Sequence, residues 1–475
     1  MGERIKADFC IIGAGSGGLS LAAGAAQLGQ KVVLIERHKM GGDCLNYGCV
    51  PSKALIAAAH HAHAARRAAD FGVDVSEPKA DFPRVMRHVH SVIAAIEPND
   101  SVERFEKLGV RVIKAEARFA SPSEVEAGEH RISARYFIIA TGSSPLKPPI
   151  PGLDATPFFT NETVFENNVL PEHLIVVGGG PIGLELAQAH RRLGARVTVL
   201  EAMKVLPKDD PDAAAVVRAS LIADGVVIHE GAKVTQVAKA GDGVSVTISR
   251  NGANEVVNGS HLLMAAGRTP NVSALNLEAA GVKYSRKGVE VDAGLRTSNS
   301  RVYAVGDVAG GLQFTHVAGY HAGVLIRRLL FKVPAAANAV IPWCTYTDPE
   351  LAHVGLTEAE AQAKGLKASV ARWPLHENDR AQAERETHGF AKIVVVGGRP
   401  VGATIVGRHA GELILPWVIA IGQKMKLSTF AGSVAAYPTL SEVSKRAAGA
   451  YFTPTLFSPR TRGLIKMLSW FGPRA

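Results

Sequence analysis

Residues 8–36 read "DFCIIGAGSGGLSLAAGAAQLGQKVVLIE", and the plan recurs at residues 174–201 as "LIVVGGGPIGLELAQAHRRLGARVTVLE". Each copy is an apolar strand, a glycine turn, an Ala/Leu-rich helix and a second apolar strand closed by an acid. The glycines are Gly13, Gly15 and Gly18 in the first copy and Gly178, Gly180 and Gly183 in the second. The first glycine stands 23 positions before the terminal glutamate in both, Gly13 to Glu36 and Gly178 to Glu201. The first glycine permits the tight strand-to-helix turn, the second lets the backbone approach a pyrophosphate, and the third lets helix pack against strand. Phosphates then sit on the free N–H groups of the helix start, and the acid accepts from a ribose diol. Two such units predict two dinucleotide sites in an α/β chain with two Rossmann-like domains. A 2′-phosphate beside Glu201 meets like charge, and no arginine follows in "EAMKVLP", so NAD(H) is favoured over NADP(H) despite Lys204.

The 475 residues exceed what one hydrophobic core holds, so several domains are expected. Hydrophobic residues make up 47% and charged residues 20%, the balance of a soluble globular protein. Apolar runs are short and broken by glycine, which argues against a membrane span. The opening "MGERIKADFCIIGAG" lacks the layout of a signal peptide, and four cysteines are too few for a secreted disulfide framework, so a cytoplasmic protein is expected. The net charge of +10 raises the question of nucleic acid. The basic residues are dispersed and no nucleic-acid motif occurs, so no nucleic-acid partner is expected.

"GGDCLNYGCVPSKALI", residues 41–56, sets Cys44 and Cys49 five positions apart. A structural metal needs about four ligands. Only His60, His61 and His63 stand near, on a helix that does not turn all three to one face, so no metal site is expected. Two inert buried thiols are a second alternative. A disulfide has a geometric cost, since five helical residues rise about 7.5 Å while bridged Cα atoms lie within about 7 Å. Gly41, Gly42 and Gly48 relax the backbone there, and Pro51 suits an early helical position. A thiolate at a helix start with Lys53 nearby is acidified, which favours a redox-active dithiol.

The chain resembles the flavoprotein pyridine nucleotide-disulfide oxidoreductases, the group of dihydrolipoamide dehydrogenase, glutathione reductase and mercuric reductase. "GAGSGG", "GGDCLNYGCVPSK", "FIIATGSSP", "GGGPIGLELA", "AAGRTPN", "VYAVGDVAGG", "YTDPELAHVGLTEAEA" and "YPTLSE" carry the resemblance over residues 5 to about 450. It implies an FAD-binding domain over 1–150, an NAD(P)-binding domain over 151–272, a return to the FAD domain over 273–338, and an α+β interface domain over 339–457 that makes a homodimer, followed by a basic tail over 458–475. By the same resemblance Gly13, Gly15, Gly18 and Glu36 hold the FAD adenosine half and Asp307 the ribityl chain, with backbone contacts from Thr315 and Ala117. Gly42, Thr141, Gly142, Ser143 and Gly267 complete the cofactor set, with Gly178, Gly180, Gly183 and Glu201 for the nicotinamide nucleotide. Lys53 pairs with Glu185 beside the flavin, Cys49 is the flavin-facing thiol, and Cys44 meets the substrate. The implied enzyme passes electrons from NAD(P)H through FAD to a Cys44–Cys49 disulfide and on to a small acceptor.

Disulfide-reducing members place a histidine before "PTLSE", oriented by the glutamate; here Tyr437 stands in that place and Glu442 remains. Tyrosine, with a pKa of about 10, is a poor proton carrier at neutral pH. A tyrosine there, like the stretch "LHENDRAQAERETHGFAKIV", is similar to mercuric reductase, although the vicinal C-terminal cysteines and the N-terminal metal-capture domain of that enzyme are not seen. Dihydrolipoamide dehydrogenase and a redox-sensing flavoprotein without efficient turnover stand as alternatives. Cys344 is expected to be a buried small residue and His316 a packing or capping residue. Leu464, Ile465, Leu468 and Phe471 fall near one helical face beside Arg460, Arg462, Lys466 and Arg474. That amphipathic pattern suits either docking on the dimer, the favoured reading, or peripheral membrane contact.

Overall fold

The computed structural model describes residues 3–471. The chain is α/β and divides into two compact units: one holds the chain up to Lys204 together with Asp224–Asn338, the other Val205–Ala223 and the chain from Ala339 onward.

The first unit contains two larger sheets, one wholly parallel and one mixed, with Glu124–Ala127 and Ala117–Ser121 added antiparallel at the His130–Ile139 side. In one, the strand Arg4–Ile12 lies between Val32–Ile35 and His130–Ile139, parallel to both. Val110–Ile113 extends the sheet on one side, and Val302–Ala304 pairs with His130–Ile139. All four residues of Val32–Ile35 are buried, the unbroken apolar run of a strand covered on both faces. The helix Ser16–Gln27 packs on Thr315–Leu329. A Cβ at Gly24 would stand 2.5 Å from Ile326 Cδ1, so glycine sets the close approach of the two helices. In the other sheet the order is Val227–His229, Arg196–Leu200, His173–Val177 and His261–Met264, all parallel. A three-stranded antiparallel ribbon, Lys233–Ala240, Gly243–Arg250 and Ala253–Gly259, accompanies it.

The second unit is built on a five-stranded antiparallel sheet ordered Pro342–Thr345, Glu350–Gly355, Arg399–Gly407, Phe390–Val396 and Ala368–Pro374. The helix Glu442–Leu456 covers the last two strands of that order. Trp417 is fully buried, stacked on Phe430 with ring centroids 4.2 Å apart, and its indole N–H donates to Ser444 Oγ at 3.0 Å. The helix Pro211–Ala223 belongs to this unit although it lies within residues 151–272 in sequence. It packs on Glu350–Gly355 and Arg399–Gly407. Asp210 at its start accepts from Ala213 N and pairs with the buried Lys392 at 2.8 Å.

Candidate active site

The two glycine turns repeat each other atom for atom. Gly13 and Gly178 have φ of +106° and +116°, and a Cβ on either would stand 2.4 and 2.3 Å from the carbonyls of Ala140 and Ala265. The third glycines, Gly18 and Gly183, pass so close to the first that an added Cβ would meet Gly13 O at 1.9 Å and Gly178 O at 2.1 Å. Around Gly180 a Cβ would meet nothing within 4 Å, and at Gly15 its nearest neighbour would be Gly42 Cα at 3.9 Å. Turn, open approach and tight packing thus fall on the first, second and third glycine in turn.

The terminal acids are also equivalent. Glu36 accepts from Ala14 N and from His38 N, both at 2.7 Å; Glu201 accepts from Gly179 N at 2.7 Å and Met203 N at 2.8 Å. Each carboxylate ties its glycine turn to the end of its second strand. An open cavity of about 110 Å³ brings Gly13, Glu36, Ala117 and Thr141 together with Asn271. Its lining combines backbone donors of the glycine turn with the Glu36 carboxylate.

The cysteines sit on two helices. Cys44 lies in Gly42–Asn46, and after a break at Tyr47 and Gly48 Cys49 opens the longer helix Cys49–Arg66. The break supplies the distortion that the five-residue spacing requires. Gly42, at φ +58°, presses the cysteine loop against the first glycine turn, where its Cβ would be 2.7 Å from Gly15 Cα. Both cysteines are thiols in this structure, with Cys44 half-buried and Cys49 exposed. The Cys44 thiol donates to Cys49, which pulls the Cys49 thiol down to about 6 against the cost of burial. Thr315, with its hydroxyl 3.4 Å from Cys49 Sγ, and the Lys53 ammonium act in the same direction, while Asp43 opposes them. The same bond and burial push Cys44 far above its usual range. Lys53 Nζ lies 2.8 Å from Glu185 Oε2, and Glu185 is 5% exposed. A helix of the second glycine motif therefore fixes an ammonium beside the redox pair.

Sequence reasoning missed the network that surrounds this pair. Arg268 donates to Ser143 Oγ at 2.7 Å and to Ser143 O at 2.8 Å, and Ser143 Oγ donates to Asp307 Oδ2 at 2.6 Å. The Nη2 that donates to Ser143 O also lies 3.2 Å from Asp43 Oδ1, where Asn161 Nδ2 donates at 3.0 Å. Burial raises the Asp307 carboxyl, against the Ser143 hydrogen bond and the Arg268 charge. Gly306 N donates to the buried His321 Nδ1 at 3.2 Å, which holds the "GD" turn. Gly142 and Gly267 flank the pairing of Ser143–Pro145 with Arg268–Pro270, and Thr141 and Asn271 exchange side-chain to backbone hydrogen bonds. The arginine in "AAGRTPN" was the available signal, but nothing local indicates its three distant partners, Ser143, Asp43 and Asp307.

In the second unit Tyr437 is 70% exposed and its hydroxyl donates to Asp379 Oδ2 at 2.8 Å. That bond raises the phenol above its ordinary value. Glu442 accepts from Thr439 N at 3.5 Å, so its hydrogen bond goes to the backbone. Cys344 is half-buried in Pro342–Thr345, and its thiol contacts Thr345 O at 3.6 Å. His316 stacks on Phe314 at 5.3 Å, a packing role. His63 pairs with Asp224 at 3.6 Å, and among the described residues no group of three or more His, Cys, Asp or Glu is placed to hold a metal. No described helix is long and apolar enough to cross a membrane.

Comparison with known proteins gives a consistent pattern. The pyridine nucleotide-disulphide oxidoreductase family matches residues 7–322, and its dimerisation domain matches residues 341–448. The chain is similar to a mercuric reductase of Bacillus cereus, 34% identical over 93% of this chain and 70% of the relative. A dihydrolipoyl dehydrogenase of Geobacillus stearothermophilus is 34% identical over 94% of this chain and 96% of its own. Among solved structures, the Cu(II) complex of the HOCl-induced flavoprotein disulfide reductase RclA from Escherichia coli superposes with a TM-score of 0.83 at 28% identity, over 92% of this chain and 98% of that one.

Proposed function

The chain belongs to the pyridine nucleotide-disulphide oxidoreductase family and is therefore an FAD-dependent NAD(P)H-linked oxidoreductase carrying the family's dimerisation domain; on that premise we propose that its acceptor is a thiophilic metal ion, reduced at Cys44 and Cys49 with NADH as donor. FAD, when bound, accepts hydride from the nicotinamide and delivers two electrons to the disulfide. Gly13, Gly15, Gly18, Glu36, Ala117, Thr141 and Asp307 are the residues proposed to hold it, and Lys53, fixed by Glu185, to balance negative charge beside it. Glu201 supports the choice of NADH, because its carboxylate stands where a 2′-phosphate would need a cation. Four cysteines in a chain of this length favour the cytoplasm as its compartment.

The acceptor class rests on how protons are handled. In the reduced pair Cys49 is a thiolate at neutral pH and Cys44 keeps the proton it donates. A soft cation binds thiolate sulfur and expels that proton by itself, so the step needs no external base. The balance is the thiol–thiolate pair plus M(II) giving disulfide, M(0) and one proton, or the same pair reducing two ions such as Cu(II) by one electron each with release of the same proton. A disulfide acceptor instead leaves a thiolate that must be protonated on time. The observation that carries the choice is the Tyr437–Asp379 hydrogen bond, which holds the one candidate acid/base above its already high value. The names of the mercuric reductase relative and of the Cu(II) complex of RclA point to the same acceptor class.

Steady-state rates with NADH and Hg(II), Cu(II), oxidised glutathione, lipoamide and a quinone test this directly. The expected result is a kcat/KM for one of the metal ions at least about tenfold above either disulfide; parity with lipoamide would sink the proposal. The similarity to dihydrolipoyl dehydrogenase supports a second reading in which another group serves as base. Tyr437→His separates the two: lipoamide turnover should rise on the order of 100-fold if the missing base limits it, and stay unchanged under the second reading.

A further inference from the structure

The helix Pro459–Leu468 has no buried residue. Leu464, Met467 and Leu468 are about half exposed, and Trp470 and Phe471 just beyond are 75% and 84% exposed. At 100° per residue Leu464, Met467, Leu468 and Phe471 share one face, while Arg462 and Lys466 stand opposite. Upstream, Leu456 and Phe457 are exposed as well, at 58% and 61%. Charge says what covers this face. After Glu442 the sequence contains Lys445, Arg446, Arg460, Arg462, Lys466 and Arg474 and no Asp or Glu. A segment with basic residues and no acid is complemented by an anionic bilayer. Apolar residues on one side, arginine and lysine on the other, and aromatic side chains at the end are what a helix lying in a headgroup layer needs.

We infer that the segment from Leu456 to Phe471 is a membrane-surface anchor that seats the enzyme on anionic phospholipid. Leu464, Leu468 and Phe471 enter the acyl boundary, Arg462 and Lys466 remain at the phosphates, and Arg460, one turn before Leu464, reaches the headgroups along its own long side chain. The inference rests on the exposure and charge of this segment and is independent of which acceptor is reduced.

Co-sedimentation of the FAD-loaded full chain with vesicles tests it, using phosphatidylcholine alone and phosphatidylcholine with one third phosphatidylglycerol. The full chain should pellet with the anionic vesicles only and be released at high salt. The triple variant R460E/R462E/K466E should lose roughly 100-fold in partitioning, and a chain ending at Ser458 should lose all of it, both with flavin absorbance and NADH oxidation unchanged. L464S/L468S, which leaves the charge unchanged, guards against a charge effect alone and should also fail to pellet. Equal partitioning of full and shortened chains overturns the inference. So does conversion of dimer to monomer on shortening without any change in vesicle binding, which assigns the face to a second copy.

Discussion

At the scale of single residues the site is organised by where one proton sits. The Cys44 hydrogen bond and the Thr315 hydroxyl stabilise a negative Cys49, and Asp43 counteracts them from the preceding helix. In the reduced enzyme the long-wavelength thiolate absorption should therefore appear as pH rises through about 6. The sign of each neighbour fixes the direction of its variants: Thr315→Ala removes a stabilising donor and should move the midpoint up, and Asp43→Asn removes a repelling charge and should move it down. Anaerobic pH titration of the reduced protein measures both, and a midpoint that ignores both variants contradicts the assignment of Cys49. Asp43 itself is anchored by Arg268 and Asn161, so its charge stays close to the pair. Sequence reading found the cysteines and Lys53 because they lie within ten residues of one another. It could not find Asp43, Ser143, Arg268 and Asp307 as a set, because their only common property is a meeting point in space.

At the scale of elements, the glycine turns show why spacing was readable. A strand, a turn and a helix that must pass within contact distance leave no room for Cβ, so the constraint is written as glycine at fixed positions. Gly18→Ala puts a methyl 1.9 Å from Gly13 O, and the backbone has to separate helix from strand to admit it. The expected cost is at least about 2 kcal/mol of stability, together with weakened FAD retention. Thermal unfolding with flavin fluorescence as a second probe checks both. Gly180→Ala, with nothing within 4 Å, should leave unfolding unchanged and act on nucleotide binding alone. The helix Pro211–Ala223 was opaque by comparison. Its membership of the second unit depends on packing against strands that come about 140 residues later, and on the buried Lys392 pairing with Asp210.

At the scale of the whole molecule, one glycine-turn plan is used twice in one chain, and the second copy is the one proposed to take the electron donor. Replacing Glu201 by arginine should lower kcat/KM for NADH and raise the NADPH-to-NADH ratio by at least about tenfold, since a cation then faces the 2′ position. An unchanged ratio in paired steady-state assays would remove Glu201 from cofactor choice. The two-sheet plan and the family were both legible from the glycines and their glutamates, and the family match over residues 7–322 and 341–448 agrees. The state of Tyr437 was less legible, since its bond to Asp379 joins positions 58 residues apart in sequence.

The paired clamps of Glu36 and Glu201 carry a consequence for assembly. Each carboxylate already accepts two backbone N–H groups, which holds its phosphate-binding loop in shape before any nucleotide arrives. Ordering a loop residue costs about 1–2 kcal/mol, and here that cost falls on folding rather than on capture. Each carboxylate retains further lone pairs for a ribose diol. A turn clamped in this way makes the proposed nucleotide uptake closer to docking than to coupled folding.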